Sequence, residues 1–107
     1  MAKKKLPKFI TAQIKDYVRI LREDKLPITR VIVFGSYAKG APRRDSDIDL
    51  CIVSPRFTDS FLALQYLWRK KRKNHLDLEP IGLSPKNLRA PSTLADEIRA
   101  AGITVKI

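Results

Sequence analysis

The sequence predicts an α+β fold, a small mixed β-sheet with helices packed on one side. Two runs of strand formers, Arg30–Phe34 and Asp47–Val53, are joined by a loop rich in Gly, Ser and charged residues. β-Branched and aliphatic residues at this density favour extended backbone. A segment with helical spacing precedes the pair and others follow it, so sheet and helices are expected to share a core. At 107 residues the chain suits a single domain with one modest core, expected to span residues 1–107 with residues 1–7 as a flexible basic arm.

Taken in order, Lys3, Lys4 and Lys5 form that arm, which ends at Pro7. From Lys8 to Glu23, the residues Ile10, Ile14, Val18 and Leu21 recur at helical spacing with Phe9 and Tyr17 alongside, the pattern of an amphipathic helix lying on a sheet. Pro27 ends the segment, because the residue before a proline avoids the helical region. Strand one is expected from Thr29 to Phe34, a loop from Gly35 to Ser46, and strand two from Asp47 to Val53, closed by Ser54-Pro55. Thr58, Asp59 and Ser60 can cap a helix that buries Phe61, Leu64 and Trp68 with Leu62 and Leu67 flanking. That helix ends in the basic run Arg69–Lys73, which suits the negative end of a helix dipole. Strand three is expected at His75–Glu79, where Leu76 and Leu78 alternate with Asp77 and Glu79, and Pro80 is expected to interrupt its pairing. Ser84-Pro85 caps a further turn, and a helix from Thr93 to Ala101 leads through Gly102 into a last strand, Ile103–Ile107.

Composition narrows the function classes. With 44% hydrophobic and 31% charged residues the chain is that of a folded protein and not a disordered one. No apolar run approaches the ~18 residues of a membrane span, and no apolar stretch follows the N-terminal lysines. The expectation is a cytoplasmic protein without a membrane partner. The single cysteine, Cys51, cannot form an internal disulfide and reads as a small buried hydrophobe. One Cys and one His cannot make a structural zinc site, and His75 is expected at a strand edge or the surface. Twenty-two Lys and Arg against 11 Asp and Glu leave a net charge of +11, which favours polyanions: a nucleoside triphosphate, RNA or an acidic protein face.

The chemistry concentrates in Gly35–Leu50. Gly35-Ser36 breaks strand one where a short helix can begin, to be ended by Gly40, and such a turn offers unpaired backbone N–H groups and the Ser36 hydroxyl to phosphate oxygens. Asp47 and Asp49, two apart on a strand, share one face and can converge on one hard divalent cation or bridge two. A Walker A loop is excluded, because Ala41 and Pro42 stand where its Lys and Ser/Thr must be. An EF-hand is excluded as well, because Leu50 replaces its Gly and Arg56 its bidentate Glu.

This double motif resembles the nucleotidyltransferase superfamily typified by DNA polymerase beta, and most closely its minimal nucleotidyltransferases. The residues that carry the resemblance are Gly35, Ser36, Ala38, Gly40, Ser46, Asp47, Ile48, Asp49 and Leu50, with Lys39 where an Arg is more usual. The resemblance covers most of the chain and implies a polymerase beta palm-like fold. It further implies an enzyme that moves a nucleoside monophosphate, AMP from ATP, to an acceptor hydroxyl. Mg²⁺, as two ions, would be held by Asp47, Asp49 and a third carboxylate on strand three, for which Asp77 is the better match and Glu79 the competitor. Gly35 and Ser36 would hold the terminal phosphates, while Lys39, Arg43 and Arg44 project from the loop to bind the triphosphate or the acceptor. Members of this branch pair with a small helical protein of the HEPN class, as toxin and antitoxin, and add AMP to its tyrosine. The rival expectation is a nucleotide- or RNA-binding accessory module with the same fold and little or no catalysis. RNA and a second copy of the chain stay open as partners.

Overall fold

The computed structural model describes residues 6–38 and 47–107. The elements run α1 (Lys8–Glu23), β1 (Arg30–Phe34), β2 (Ile48–Val53), α2 (Ser60–Arg69), a 3₁₀ turn (Lys73–His75), β3 (Leu78–Leu83), α3 (Pro85–Arg89), α4 (Thr93–Ala101) and β4 (Ile103–Thr104). The strands form one sheet in the order β3-β2-β1-β4. β1 lies antiparallel to both β2 and β4, whereas β2 and β3 are parallel. The predicted α+β class with a mixed sheet is what the chain forms, but its helices cover both faces of the sheet.

Period-two alternation explains the second layer. Val31 and Val33 of β1 with Ile48, Leu50 and Ile52 of β2 meet Ile10, Ile14, Tyr17, Val18 and Leu21 of α1 and Ala63 and Leu67 of α2. The intervening residues Ile32, Phe34, Cys51 and Val53 face the other way, where they pack with Leu88 of α3 and Ile98 of α4. Strands apolar on both faces need cover on both. α1 presents the predicted stripe, with Tyr17 inside and Phe9 outside. The Tyr17 hydroxyl donates to the Leu67 carbonyl at 2.6 Å and ties α1 to the end of α2.

Four further expectations are corrected. α2 buries Ala63 and Leu67, while Phe61, Leu64 and Trp68 face outward. The helix is apolar around most of its circumference, so periodicity could not select the inward face. Ala63 faces inward where the sheet comes close: a Cβ on Gly82 of β3 would strike the Phe57 ring and the Ala63 methyl. The third strand is Leu78–Leu83 and runs through Pro80. The Ile48 and Ser54 N–H groups donate to the Asp77 and Leu83 carbonyls, so the odd-numbered residues of β3 face β2 and Pro80 turns its missing N–H to the open edge, where proline is tolerated. His75 is fully buried, beyond the reach of solvent. Its Nδ1 accepts the Arg72 N–H at 3.0 Å and its Nε2–H donates to Asp16 at 2.7 Å, so both ring nitrogens are satisfied and the tautomer is set. The last strand is also shorter than expected, pairing only over Ile103–Thr104.

Candidate active site

The register of the sheet sets out the site. Phe34 pairs with Asp49, and Asp49 pairs with Glu79, so one row across three strands holds the end of β1, one acid and a second acid at strand spacings of about 4.8 Å. Asp47 stands just before β2, exposed, and Asp49 and Glu79 are half-buried. Glu79 is within side-chain hydrogen-bonding reach of both Asp47 and Asp49. Asp77 lies in the turn before β3 and spends its carbonyl on the Ile48 N–H. The strand that was expected to present Asp77 begins at Leu78, one residue beyond it, and delivers Glu79 to the two aspartates.

Burial raises the Asp49 pKa above the ordinary carboxylate range, and the charges of Asp47 and Glu97 add to the effect, while the hydrogen bond with Glu79 partly offsets it. Glu79 is also raised, first by burial and then by hydrogen bonds and repulsion from Asp47 and Asp49. Crowded carboxylates of this kind share protons or call for a cation. Among the described residues no three His, Cys, Asp or Glu side chains form a ready-made metal cage. The donor set is nonetheless one of hard carboxylate oxygens converging from two strands, and that chemistry suits Mg²⁺.

Gly35 begins the turn at residues 35–38. Its φ of +72° lies in the left-handed region, and a Cβ there would collide with Asp49 Oδ2. A glycine is required on both counts: the chain must turn, and the acid must lie against its backbone. Ser36 follows, half-buried, beside the same acid end of the sheet. Lys39, Gly40, Arg43, Arg44 and Ser46 lie outside the described residues.

Sequence reasoning missed one neighbour. Lys71 places its Nζ 3.8 Å from the centre of the Trp68 ring, and the Trp68 Nε1–H donates to the Pro80 carbonyl at 3.1 Å. These contacts tie the lysine to β3 one residue beyond Glu79. Burial lowers the Lys71 pKa, against the attraction of Glu79, Asp47 and Asp77. Only the assignment of Trp68 to the outer face of α2 could have revealed it.

The model of the nucleotidyltransferase domain matches residues 14–97. Among solved structures, a toxin–antitoxin crystallised with AMP-PNP is 26% identical, with a TM-score of 0.57 over 90% of this chain and 72% of that one. A protein of Sulfolobus solfataricus assigned as a nucleotidyltransferase is 22% identical, with a TM-score of 0.55 over 96% of this chain and 90% of that one. The toxin–antitoxin MntA-HepT is 18% identical, with a TM-score of 0.52 over 89% and 70%. The last two likenesses speak for the fold alone. Individual curated sequences show no match to the chain. The family match extends from α1 to α4 and takes in Gly35, both aspartates and Glu79, so this chain belongs to the nucleotidyltransferase domain family and is a nucleotidyltransferase.

Proposed function

We propose that this enzyme moves AMP from ATP onto a side-chain hydroxyl of a protein partner. The observation that carries the reading is the row Gly35, Asp49, Glu79, with Asp47 within reach of Glu79. Asp47, Asp49 and Glu79 would hold Mg²⁺, which when bound neutralises the triphosphate and stabilises charge on the leaving oxygen. The Gly35–Ser36 turn holds the terminal phosphates through backbone N–H groups and the Ser36 hydroxyl. Glu79 takes the third carboxylate's place in preference to Asp77, because the register sets it beside Asp49, and it would receive the proton of the attacking hydroxyl. Support for ATP comes from the 26% identical toxin–antitoxin solved with an ATP analogue, and support for a protein partner from the toxin–antitoxin assemblies among the similar structures. A helical partner of the HEPN class is the one that the sequence motif implies.

The test is a pair of measurements on the wild-type chain and Asp49→Asn. Thermal melting with ATP and Mg²⁺ reads binding, and mass spectrometry of a tyrosine-bearing acceptor polypeptide reads gain of one AMP. Wild type should show both and Asp49→Asn neither. A wild-type melting curve that Mg²⁺ and ATP leave unmoved overturns the proposal.

A further inference from the structure

The acid row has a direction. From β1 outward it runs through the Gly35–Ser36 turn, then Asp49, then Glu79, and past the open edge of β3 to Lys71 on its Trp68 ring. In-line displacement sets the attacking oxygen opposite the leaving pyrophosphate. With the triphosphate on the Gly35–Ser36 turn, the acceptor therefore arrives across the β3 edge.

That edge borders an exposed apolar face. Phe61, Leu64 and Trp68 recur at i, i+3 and i+7 on α2, and Phe61 is 63% and Trp68 45% exposed. Phe61 and Leu64 line a groove of about 300 Å³ with Ile81, Gly82 and Leu83 of β3 and Leu94 of α4. A contiguous apolar patch beside charged residues marks a docking surface more often than chance exposure does. The occupant is not a further strand. Pro80 offers no N–H at the open edge, and its carbonyl is already taken by Trp68, so strand addition is blocked at the middle of β3. What remains is the helix-in-groove mode, with apolar anchors at helical spacing.

Charge then chooses the partner. The stripe ends at Lys71, which rests on Trp68, while Arg69, Lys70 and Arg72 line the cleft against Asp16, Glu23 and Asp24 of α1. A second copy would bring together two molecules that each carry +11, an unfavourable approach. A helix with acidic residues at the matching end is attracted instead.

We propose, resting on the function argued above, that an amphipathic helix of an acidic partner protein lays its apolar face in the Phe61–Leu64–Leu94 groove and over Trp68. Its acidic end meets Lys71, and its hydroxyl passes that lysine to reach Glu79. In the step itself the acceptor oxygen bonds to the α-phosphorus and the bridging bond to the β-phosphate breaks. The electron pair leaves with pyrophosphate, and the hydroxyl proton passes to Glu79.

The experiment uses the full chain, ATP labelled at the α-phosphate, Mg²⁺, and three acceptor probes. These are a random copolymer of glutamate and tyrosine, a copolymer of lysine and tyrosine, and an oligoribonucleotide with a free 3′-hydroxyl. The glutamate–tyrosine copolymer should be labelled in preference to the others. Phe61→Glu and Lys71→Met should each lower kcat/KM for it by roughly ten-fold or more, and Lys71→Arg should restore most of the loss at position 71. All three variants should keep the wild-type thermal shift with Mg²⁺ and ATP, which shows that fold and nucleotide site are intact. Wild-type rates in Phe61→Glu and Lys71→Met, preferential labelling of the basic copolymer or the RNA, or a wild type that binds Mg²⁺ and ATP yet leaves the acidic copolymer unlabelled each overturn the docking surface. Loss of the thermal shift in the wild type is a different result, and it removes the functional reading beneath.

Discussion

Two residues carry sharp expectations. Gly35 sits at φ +72° with Asp49 against its backbone. In Gly35→Ala the left-handed conformation alone costs about 1–3 kcal/mol, and the methyl must push the Asp49 carboxylate out of the row. Thermal melting should show that loss of stability, and AMP transfer should fall by at least ~10²-fold because a displaced carboxylate no longer serves the reacting phosphate. The second expectation ranks the acids on either side of Leu78. Glu79→Gln should lose transfer by roughly 10²-fold or more, whereas Asp77→Asn should stay within a few-fold of wild type. Initial rates with labelled ATP decide it, and the opposite order would return the role to Asp77. The glycine and the aspartate pair were legible in the sequence because their chemistry is local, a turn and an alternation within sixteen residues. Which of Asp77 and Glu79 lies beside Asp49 was not, because it depends on where β3 begins to pair with β2, and only the register of a non-local parallel ladder sets that.

At the scale of elements, α1, β1 and β2 follow their local patterns, whereas α2 and β3 depart from them. Ala63 faces the core although larger apolar residues were available, because Gly82 lets the sheet approach α2 at that point too closely for a bulky side chain. β3 contains Pro80 and Gly82, both poor strand formers, and it exists because it is an edge strand covered by α2 and hydrogen-bonded along one side only. A second element-level device joins α1 to the 3₁₀ turn. Asp16 receives hydrogen bonds from Arg19, Asn74 and the buried His75, and these hold its carboxyl well below its ordinary value of 3.8. The sign follows from which state binds the proton first. Below 3.8 the unfolded chain protonates at Asp16 while the folded chain resists, so the stability this group contributes is complete above the ordinary value and lost as pH falls beneath it. Asp16→Asn should therefore lower stability at neutral pH and flatten the acid limb of a urea-unfolding series between about pH 5 and pH 2. An acid limb as steep as that of wild type would show that Asp16 contributes nothing through its charge.

For the whole molecule, the opposing charges and the proposed function together predict that nucleotide and metal bind jointly. The chain carries +11 overall, yet the row proposed to meet the triphosphate presents Asp47, Asp49 and Glu79, two of them with pKa values raised by burial and mutual repulsion. ATP alone brings more negative charge against those carboxylates, and Mg²⁺ alone lacks the phosphate oxygens that complete its shell. Their joint binding to the native state should stabilise it by about 2.7 kcal/mol at a hundred times Kd. For a domain of this size that corresponds to a rise in Tm of roughly 10 °C or more. Either component alone should give a small fraction of this shift, and Asp49→Asn should give little even with both, since it removes one charge from the set without changing the size of the side chain. A full shift with ATP in the presence of a chelator would place binding on the basic residues alone, and the acid row would then have to be explained without a metal.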